Sequence, residues 1–257
     1  MQPTLPKPLL GDISALTIAT ADLETSLKYY QQLGFKEVMR MDFPFPWIQV
    51  TDDALLIMLR KADESYLALT YYAANAENIA ADIESKGIQF TSKPKDGDMV
   101  KRYVFQSPDG LNISLVGIPD GFSKPAGKTM LTMDQQDYFK PDTYTNKTAG
   151  MFGELAHPVA DLNKSIGFWE TIGFKPISKF TSPYPWAILS DGLAVVGLHQ
   201  TTHFTYPAIT FFASDMKDKI EKLKTQGLEN FKERGGPSNI VLTTPEQQHI
   251  FLFKLGM

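Results

Sequence analysis

Five ionisable side chains in the second half of the chain could do acid–base or metal chemistry. They are Glu154 and the four histidines of the chain, His157, His199, His203 and His249. Imidazole and carboxylate groups are common general bases and common ligands of divalent metals. Glu154 and His157 are three residues apart on a predicted strand, so they would face opposite sides of a sheet. His199 and His203 flank a predicted turn between two strands, where we expect them to be solvated.

His249 is the one histidine that we place near a cleft. It stands two residues before Phe251, so the two side chains share a strand face. The alternative is an exposed or hydrogen-bonded histidine with no role in binding. If the protein holds a divalent metal, Glu154 and His249 are the predicted ligands.

The composition excludes several other kinds of chemistry. The 257 residues contain no cysteine, so disulfides, thiolate metal sites and a cysteine nucleophile are excluded. The sequence has no nucleotide-binding glycine motif and no GxSxG motif. The formal net charge is -4 and charges of both signs are interspersed, so we expect no nucleic-acid partner. Without a long apolar stretch or a secretory signal, we expect a cytoplasmic protein that does not contact membranes.

One short pattern of prolines and aromatic residues occurs twice. FPFPW ends at Trp47 and SPYPW ends at Trp186, which is a shift of 139 residues. With the same shift, 13 of the 47 positions from Ile13 to Leu59 are identical in the second half. The chain is therefore a tandem duplication. We predict a first unit at 12–118, a surface linker at 119–149 and a second unit at 150–257.

Both units predict the same order of elements. A short strand leads to an aspartate, Asp22 or Asp161, which is a typical N-cap. An amphipathic helix follows and ends at a glycine, Gly34 or Gly173. Three strands, a fourth strand, a second helix and two closing strands complete each unit. This mixture of helices and strands predicts an α+β fold.

The segments ISALTIATADLETSLKYYQQLGF and SPDGLNISLVG, in this order of elements, resemble the vicinal oxygen chelate superfamily. That superfamily includes glyoxalase I, bleomycin-resistance proteins, fosfomycin-resistance enzymes and extradiol dioxygenases. The resemblance covers nearly the whole chain except the linker. It implies tandem βαβββ modules whose curved mixed sheets enclose a cleft. It also implies, for many members, one divalent metal held by His, Gln or Glu on the strands that face the cleft.

The metal positions that this resemblance implies carry a poor set of ligands. They fall in pairs on Ala15 and Glu154, Tyr66 and Tyr206, and Ser114 and Phe251. Because both units of family members usually contribute ligands, we expect two shared clefts. One would gather Glu154, Tyr66 and Ser114, and the other Ala15, Tyr206 and Phe251. One carboxylate with two hydroxyl groups provides too few strong ligands, so we predict no cofactor. The alternative is a divalent metal bound by ligands at positions other than those usual in the family.

Glu154 is also the candidate catalytic residue. On an inward strand face with no evident basic neighbour, its carboxylate could have a raised pKa and act as a general base. The alternatives are a structural hydrogen bond to Tyr66 and a position at the rim. Arg60 and Arg102 either pair with an acidic ligand or are ordinary surface charges.

Aromatic residues dominate the predicted ligand-binding surface. Aromatic walls with a few polar groups are typical of small-molecule pockets. The predicted ligand-binding residues are Trp47, Tyr66, Ser114, Trp186, Tyr206 and Phe251. The two tryptophans are equally consistent with core packing, whereas the two tyrosines could offer hydroxyl contacts to a ligand.

Three functions are consistent with the sequence. The first is a glyoxalase- or bleomycin-resistance-like protein that binds a small, partly apolar or aromatic molecule, to sequester it or to convert it by metal-free acid–base chemistry. The second is a metal-dependent lyase, isomerase or dioxygenase with displaced ligands. The third is a non-catalytic ligand-sensing or scaffolding protein with filled clefts. Because the duplicated chain can complete its clefts alone, we expect that a monomer suffices. A homodimer is the alternative.

Overall fold

The computed structural model describes residues 4–118 and 125–256, and the first unit forms one sheet of seven strands. The elements in chain order are β1 (Ile13–Thr20), α1 (Leu23–Gln32), β2 (Lys36–Met41), β3 (Trp47–Thr51), β4 (Leu56–Lys61), β5 (Leu67–Ala73), α2 (Ala76–Ser85), β6 (Arg102–Gln106) and β7 (Asn112–Gly117). The strands are ordered β2-β3-β4-β1-β5-β7-β6. β1 runs parallel to β4 and antiparallel to β5, so the sheet is mixed.

The second unit repeats this sheet with one more strand. Its elements are β8 (Met151–Pro158), α3 (Leu162–Thr171), β9 (Lys175–Phe180), β10 (Trp186–Ser190), β11 (Val195–His199), β12 (Ala208–Ala213), α4 (Met216–Thr225), β13 (Phe231–Glu233), β14 (Asn239–Thr243) and β15 (His249–Lys254). The strand order is β13-β14-β15-β12-β8-β11-β10-β9. In the first unit, an isolated bridge from Ser92 to Val104 stands where β13 pairs with β14. The predicted α+β fold with tandem modules and curved mixed sheets is confirmed.

Each unit is itself built from two consecutive strand–helix–strand segments. β1 to β4 form a βαβββ segment, and β5 to β7 with α2 form a shorter second one. The two segments meet where β1 pairs with β5. One unit therefore closes a curved sheet without strands from the other unit.

The helix ends follow from local sequence. The Asp22 carboxylate accepts hydrogen bonds from the backbone N–H groups of Glu24 and Thr25, and Asp161 does the same at α3. Gly34 follows the end of α1 with a φ of 90°, a left-handed conformation that costs little without a Cβ. The predicted caps of α1 and α3 are thus present in both copies.

The core lies between the two sheets and includes residues of both units. In β1, Leu16 and Ile18 are buried in it, and the Phe35 ring meets the Phe211 ring edge to face at 6.3 Å. Tyr71 in β5 donates a 2.6 Å hydrogen bond across the junction to the buried carboxylate of Asp191. The units therefore pack through the convex faces of their sheets, and the concave faces point away from each other.

The segment between the units is mostly exposed or half-buried, but a few of its side chains are buried at the junction. Residues 119–124 of the predicted linker lie outside the described residues. In the remainder, Tyr144 is buried and bonds Ser214, and Asn146 donates to the buried carboxylate of Asp52. The predicted linker is therefore anchored by a few side chains that satisfy buried polar groups at the junction. The boundaries 12–118, 119–149 and 150–257 stay predictions.

None of the helices in the described ranges is both long enough and apolar enough to cross a membrane.

Candidate functional site

The concave face of the first sheet encloses a cavity of about 460 Å³. Alternation along the strands decides which side chains reach it, because every second residue points away from the core. Its apolar wall is contributed mainly by Ile13, Met41, Leu56, Met58, Tyr72, Val100, Val116 and Ile118. Its polar side chains include Thr17, Gln49, Arg60, Tyr66, Thr70, Arg102 and Ser114. Such a surface suits a small molecule with a large apolar part.

The FPFPW stretch forms one wall of this cavity. Phe43, Pro44, Phe45 and Trp47 all line it, and the Phe43–Pro44 peptide bond is cis. The equivalent Ser182–Pro183 bond in the second unit is also cis. The duplicated stretch therefore has the same backbone turn in both units, and in the first unit it places three aromatic rings at a cavity.

Two pairs of hydroxyl groups lie on the cavity floor. Tyr66 Oη is 3.1 Å from Ser114 Oγ, and Thr17 Oγ1 is 2.7 Å from Thr70 Oγ1. In the pair of Tyr66 and Ser114 one hydroxyl donates to the other, which leaves one hydroxyl hydrogen for another acceptor. Thr17 has a further side-chain hydrogen bond with Tyr72. The floor can therefore offer hydrogen bonds to a ligand from an otherwise apolar surface.

Arg60 is a half-buried cation that lines this cavity. Its guanidinium carbon lies 5.7 Å from the centre of the Phe45 ring and 5.6 Å from that of Tyr66. Its side chain is 16% exposed, and Nε is buried without a hydrogen-bond partner among the described residues. Glu64 is 3.7 Å from a terminal nitrogen, but its own side chain is 77% exposed. Arg60 thus presents donors to the cavity and has only a weak internal partner.

In the second sheet, the concave face carries a buried acid–histidine pair. His199 Nε2 is 2.8 Å from Glu154 Oε1, and the two residues are 8% and 3% exposed. The His199 ring stacks on Trp186 at 5.4 Å, and Tyr184 Oη is 3.4 Å from His199 Nδ1. Burial raises the pKa of Tyr184, and the nearby charge of Glu154 adds to this effect. These four side chains pack against each other where a ligand would otherwise lie.

Aromatic side chains fill the rest of the second cleft. The Phe204 ring meets Phe251 at 5.4 Å, and both residues are buried. Tyr206 stacks on His249 at 3.5 Å, and burial lowers the pKa of His249. Phe251 pairs across the strands with Thr210 just as Ser114 pairs with Thr70 in the first sheet. The exchange of a serine for a phenylalanine is therefore one reason why this cleft is filled.

A glycine makes room for Glu154. A Cβ added at Gly197 would lie 2.0 Å from Glu154 Oε2, so any other residue there would displace the carboxylate. The positions equivalent to Glu154 and Gly197 in the first unit are Ala15 and Met58. Each sheet thus combines one small and one large residue. In the first sheet the small residue is Ala15 on β1, and in the second it is Gly197 on β11. The sequence contained this signal, because the shift of 139 residues aligns both pairs.

Three expectations about these residues are wrong. Glu154 has a basic neighbour, His199, which is buried rather than solvated, because the strand β11 that carries His199 lies directly beside β8. Glu154 also does not meet Tyr66 and Ser114. Each cleft is closed by the strands of one unit, so Glu154 shares the concave face of its sheet with Tyr206 and Phe251. His203 is exposed, as expected.

His157 lies on the opposite side of the sheet from Glu154, as the spacing predicts. It is 2% exposed at the junction of the units, and its Nε2 is 3.4 Å from Ser107 Oγ. Burial lowers its pKa from 6.5 to about 4, against the smaller opposing effect of the Asp109 charge. His157 is therefore a neutral core residue at physiological pH.

The side chains at the implied metal positions do not fit a divalent metal. Among the described residues, no three His, Cys, Asp or Glu side chains lie together in a way that could hold one. Glu154 is bonded to His199, and the positions of the other implied ligands hold Tyr206 and Phe251. The other candidate ligand, His249, is stacked on Tyr206 instead of facing Glu154. A phenyl ring and a tyrosine hydroxyl leave this site with too few strong donors.

Comparisons with known proteins agree with this architecture. Residues 12–115 match the family model of the Glyoxalase/Bleomycin resistance protein/Dioxygenase superfamily. A search of curated proteins finds no match. Among solved structures, the 2,3-dioxygenase LapB from Pseudomonas sp. KL28 is similar with a TM-score of 0.60 and 15% identity, covering 99% of this chain and 94% of that one.

Two homoprotocatechuate 2,3-dioxygenases are similar to the same degree. The enzyme from Arthrobacter globiformis has a TM-score of 0.61 and 12% identity over 98% of this chain and 82% of that one. The E323L mutant of the Brevibacterium fuscum enzyme has a TM-score of 0.58 and 15% identity, over 98% of this chain and 73% of that one. The predicted resemblance is confirmed: residues 12–115 match the glyoxalase, bleomycin-resistance and dioxygenase superfamily, and the whole chain shares the fold of these dioxygenases.

Proposed function

We propose that this protein binds a small, partly apolar or aromatic molecule in the first cleft, without a family-type metal site. The observation that carries the proposal is the contrast between the two concave faces. The first encloses about 460 Å³, which lies in the usual size range of small-molecule sites. The second is filled by its own buried side chains.

The chemistry of the cavity wall supports this proposal. Phe45 and Trp47 offer flat apolar surfaces, and the paired hydroxyls of Tyr66 and Ser114 offer a directional contact. Burial of ring surface against such walls gives most of the binding energy, and a few polar groups fix the orientation. Of the predicted ligand-binding residues, Trp47, Tyr66 and Ser114 therefore form the proposed site.

The other predicted residues belong to the second cleft. Trp186, Tyr206 and Phe251 pack there around Glu154 and His199. A catalytic role of Glu154 stays a prediction, and the ligand proposed for the first cleft would not contact it. The similar structures suggest metal-dependent dioxygenase chemistry, but in the part of the chain that the structure describes neither cleft has a fitting set of donors. Stoichiometric divalent metal in the purified protein would contradict this part of the proposal.

A fluorescent apolar probe tests binding directly. N-phenyl-1-naphthylamine is uncharged and fluoresces strongly when it leaves water, so a saturable titration with one probe per chain is expected. Ser114→Phe, which places the residue of the filled cleft into the open one, should abolish the signal. Ser114→Ala removes the hydroxyl without filling space and is the matched control, which should retain most of the affinity.

The outcome is readable only if both variants are folded. Near-ultraviolet circular dichroism and a thermal melt check this for Ser114→Phe and Ser114→Ala. Unsaturable probe binding, or equal binding by the wild type and Ser114→Phe, would overturn the proposal.

A further inference from the structure

Arg60 and His199 occupy equivalent positions in the two sheets, but only His199 has a buried acidic partner. The shift of 139 residues aligns Arg60 with His199 and Ala15 with Glu154. In the second cleft, the Glu154 carboxylate accepts a 2.8 Å hydrogen bond from the His199 ring. In the first, Ala15 has no acceptor to offer, and Met58 takes the place of the glycine beneath Glu154. The Arg60 side chain therefore presents its donors to the cleft without a buried carboxylate partner, whereas His199 has Glu154 as its partner.

We propose that the ligand of the first cleft is an organic anion, with an apolar body against the aromatic wall and a carboxylate, sulfonate or phosphate group bound by Arg60. This inference rests on the proposed function of the cleft and adds the chemical class of its ligand. The acid group of the ligand takes the role in the first cleft that Glu154 has in the second.

The surroundings of Arg60 favour an anion. The Phe45 and Tyr66 rings flank the guanidinium and shield it from water, which strengthens its interaction with a negative charge. Nε is buried and unpartnered among the described residues, and an unsatisfied buried donor is costly until an acceptor arrives. A planar guanidinium can bind an acid group through two parallel hydrogen bonds.

The other charged groups along the cavity add to this preference. Arg102 lies on β6 beside Val116, and Lys93 lies at the rim. Asp98 is the carboxylate that lines the same cavity, and it is exposed. Glu64 approaches Arg60 from outside, where water screens it. Lys93 is ion-paired with the partly exposed carboxylate of Glu84. Arg60 and Arg102 are therefore the two lining cations that favour a negatively charged ligand.

Two dyes that share an aromatic body separate this inference from the proposed function. 8-Anilinonaphthalene-1-sulfonate is N-phenyl-1-naphthylamine with a sulfonate group added. If the cleft binds the apolar body alone, the two dyes bind about equally. If Arg60 binds the acid group, the sulfonate should bind at least about tenfold more tightly, as expected for one charge-assisted hydrogen-bonded contact. The preference should shrink as salt is added.

Substitutions assign the preference to Arg60. Arg60→Gln should remove most of the advantage of the sulfonate and leave N-phenyl-1-naphthylamine affinity within about twofold. Arg234→Gln removes an exposed arginine of the second unit and is the control for net charge, with no effect on either dye. Arg102→Gln tests whether the second cation shares the contact, and a smaller loss is expected there.

A transplant tests the comparison between the clefts. Ala15→Glu with Met58→Gly copies the Glu154–Gly197 arrangement, so the new carboxylate should neutralise Arg60 and weaken sulfonate binding about tenfold. Ala15→Gln with Met58→Gly has the same shape without the charge and should keep the preference for the anion.

Each outcome has one meaning. Binding of the neutral dye without a preference for the sulfonate, or a preference unchanged in Arg60→Gln, overturns the inference and leaves the proposed function standing. No binding of either dye by the folded wild type overturns both. A preference that is lost in Arg60→Gln and kept in Arg234→Gln supports the inference.

Discussion

The two sheets share seven strands in the same order, yet the concave face of the first encloses a cavity and that of the second is filled. Three aligned pairs account for much of the difference: Ala15 and Glu154, Met58 and Gly197, and Ser114 and Phe251. In the second sheet these exchanges bring a buried acid–histidine pair and a phenylalanine into the cleft. A duplicated frame thus allows one copy to bind a ligand while the other acquires further internal contacts.

The filled cleft buries a carboxylate that has no counterpart in the open one, where Ala15 occupies the equivalent position. Glu154 Oε2 and Thr210 Oγ1 are buried without partners among the described residues, although Glu154 and Thr210 are neighbours across the strands. Burial of a polar group is tolerable only when hydrogen bonds replace those lost to water. The second cleft therefore depends on the contact between Glu154 and His199, and the largest predicted effects concern this pair.

Removal of the Glu154 carboxylate should destabilise the protein more than any other single change considered. Glu154→Ala leaves His199 Nε2 buried without a partner and opens a void, at a cost of about 4 kcal/mol in unfolding free energy. Urea denaturation measures this cost. Glu84→Ala, which removes the exposed ion pair with Lys93, is the control and should cost less than about 1 kcal/mol. Equal losses for the two variants would contradict a buried, paired Glu154.

The junction gives a second difference between the units, because His157 occupies the position of Ile18. Burial lowers the pKa of His157 from 6.5 to about 4, so the unfolded chain binds more protons than the folded one in this pH window. The stabilisation is complete above 6.5 and is lost as the pH falls towards 4, by roughly 3 kcal/mol at most.

His157→Ile makes the two units alike and should remove this pH dependence. Urea denaturation of the wild type and the variant across the window measures the difference in slope. Other titrating groups act in both proteins and cancel in that difference. Parallel pH profiles for wild type and His157→Ile would show that His157 titrates normally.

Gly197 should tolerate a side chain only when Glu154 is absent. Gly197→Ala places a Cβ against the carboxylate and should cost about 2 kcal/mol. The double variant Glu154→Ala with Gly197→Met copies Ala15 and Met58 and should be more stable than the sum of the single changes predicts. Gly167→Ala, in α3 with open space around it, should be neutral or slightly stabilising. Additive losses in the double variant would refute the complementarity of the two pairs.

The smallest predicted effect concerns the contact between the units. Tyr71 and Phe211 are equivalent, because Tyr71 follows Thr70 and Phe211 follows Thr210, the two threonines that occupy matching positions in the sheets. Tyr71→Phe therefore makes the two copies alike and removes the donor to Asp191. Burial raises the pKa of Asp191, and loss of a hydrogen bond to its carboxyl group should cost about 1.5 kcal/mol. Tyr103→Phe, at the edge strand β6, serves as the control. No loss in thermal unfolding for Tyr71→Phe would mean that this contact does not stabilise the junction.

Sequence reasoning predicted the features that depend on local residues. The duplication, the strands, the N-caps at Asp22 and Asp161 and the glycine after each first helix follow from short-range rules, and they are present. The opposite faces of Glu154 and His157 also follow from strand alternation.

The partners of the site residues depend on the pairing of strands that are distant in the sequence, and the predictions of these partners were wrong. The closing strands of each unit return to their own sheet, so Glu154 meets His199 rather than Tyr66. For Arg60 the sequence allows both a surface charge and a contact to an acidic ligand, because its enclosure by Phe45 and Tyr66 depends on a loop and a neighbouring strand. The exchange of Ala15 and Met58 for Glu154 and Gly197 can be recognised from the aligned sequences, whereas the cavity volume cannot.

Nuclear magnetic resonance of the three tryptophan indole N–H groups tests the central claim most directly. Trp47 lines the open cleft, Trp186 is stacked in the filled cleft and Trp169 is buried in the core. Variants with phenylalanine at each position assign the three signals. Titration with N-phenyl-1-naphthylamine should shift the Trp47 signal in a saturable way and leave those of Trp186 and Trp169 in place. A shift of Trp186 without Trp47, or no shift at saturating probe, would contradict the assignment of binding to the first cleft.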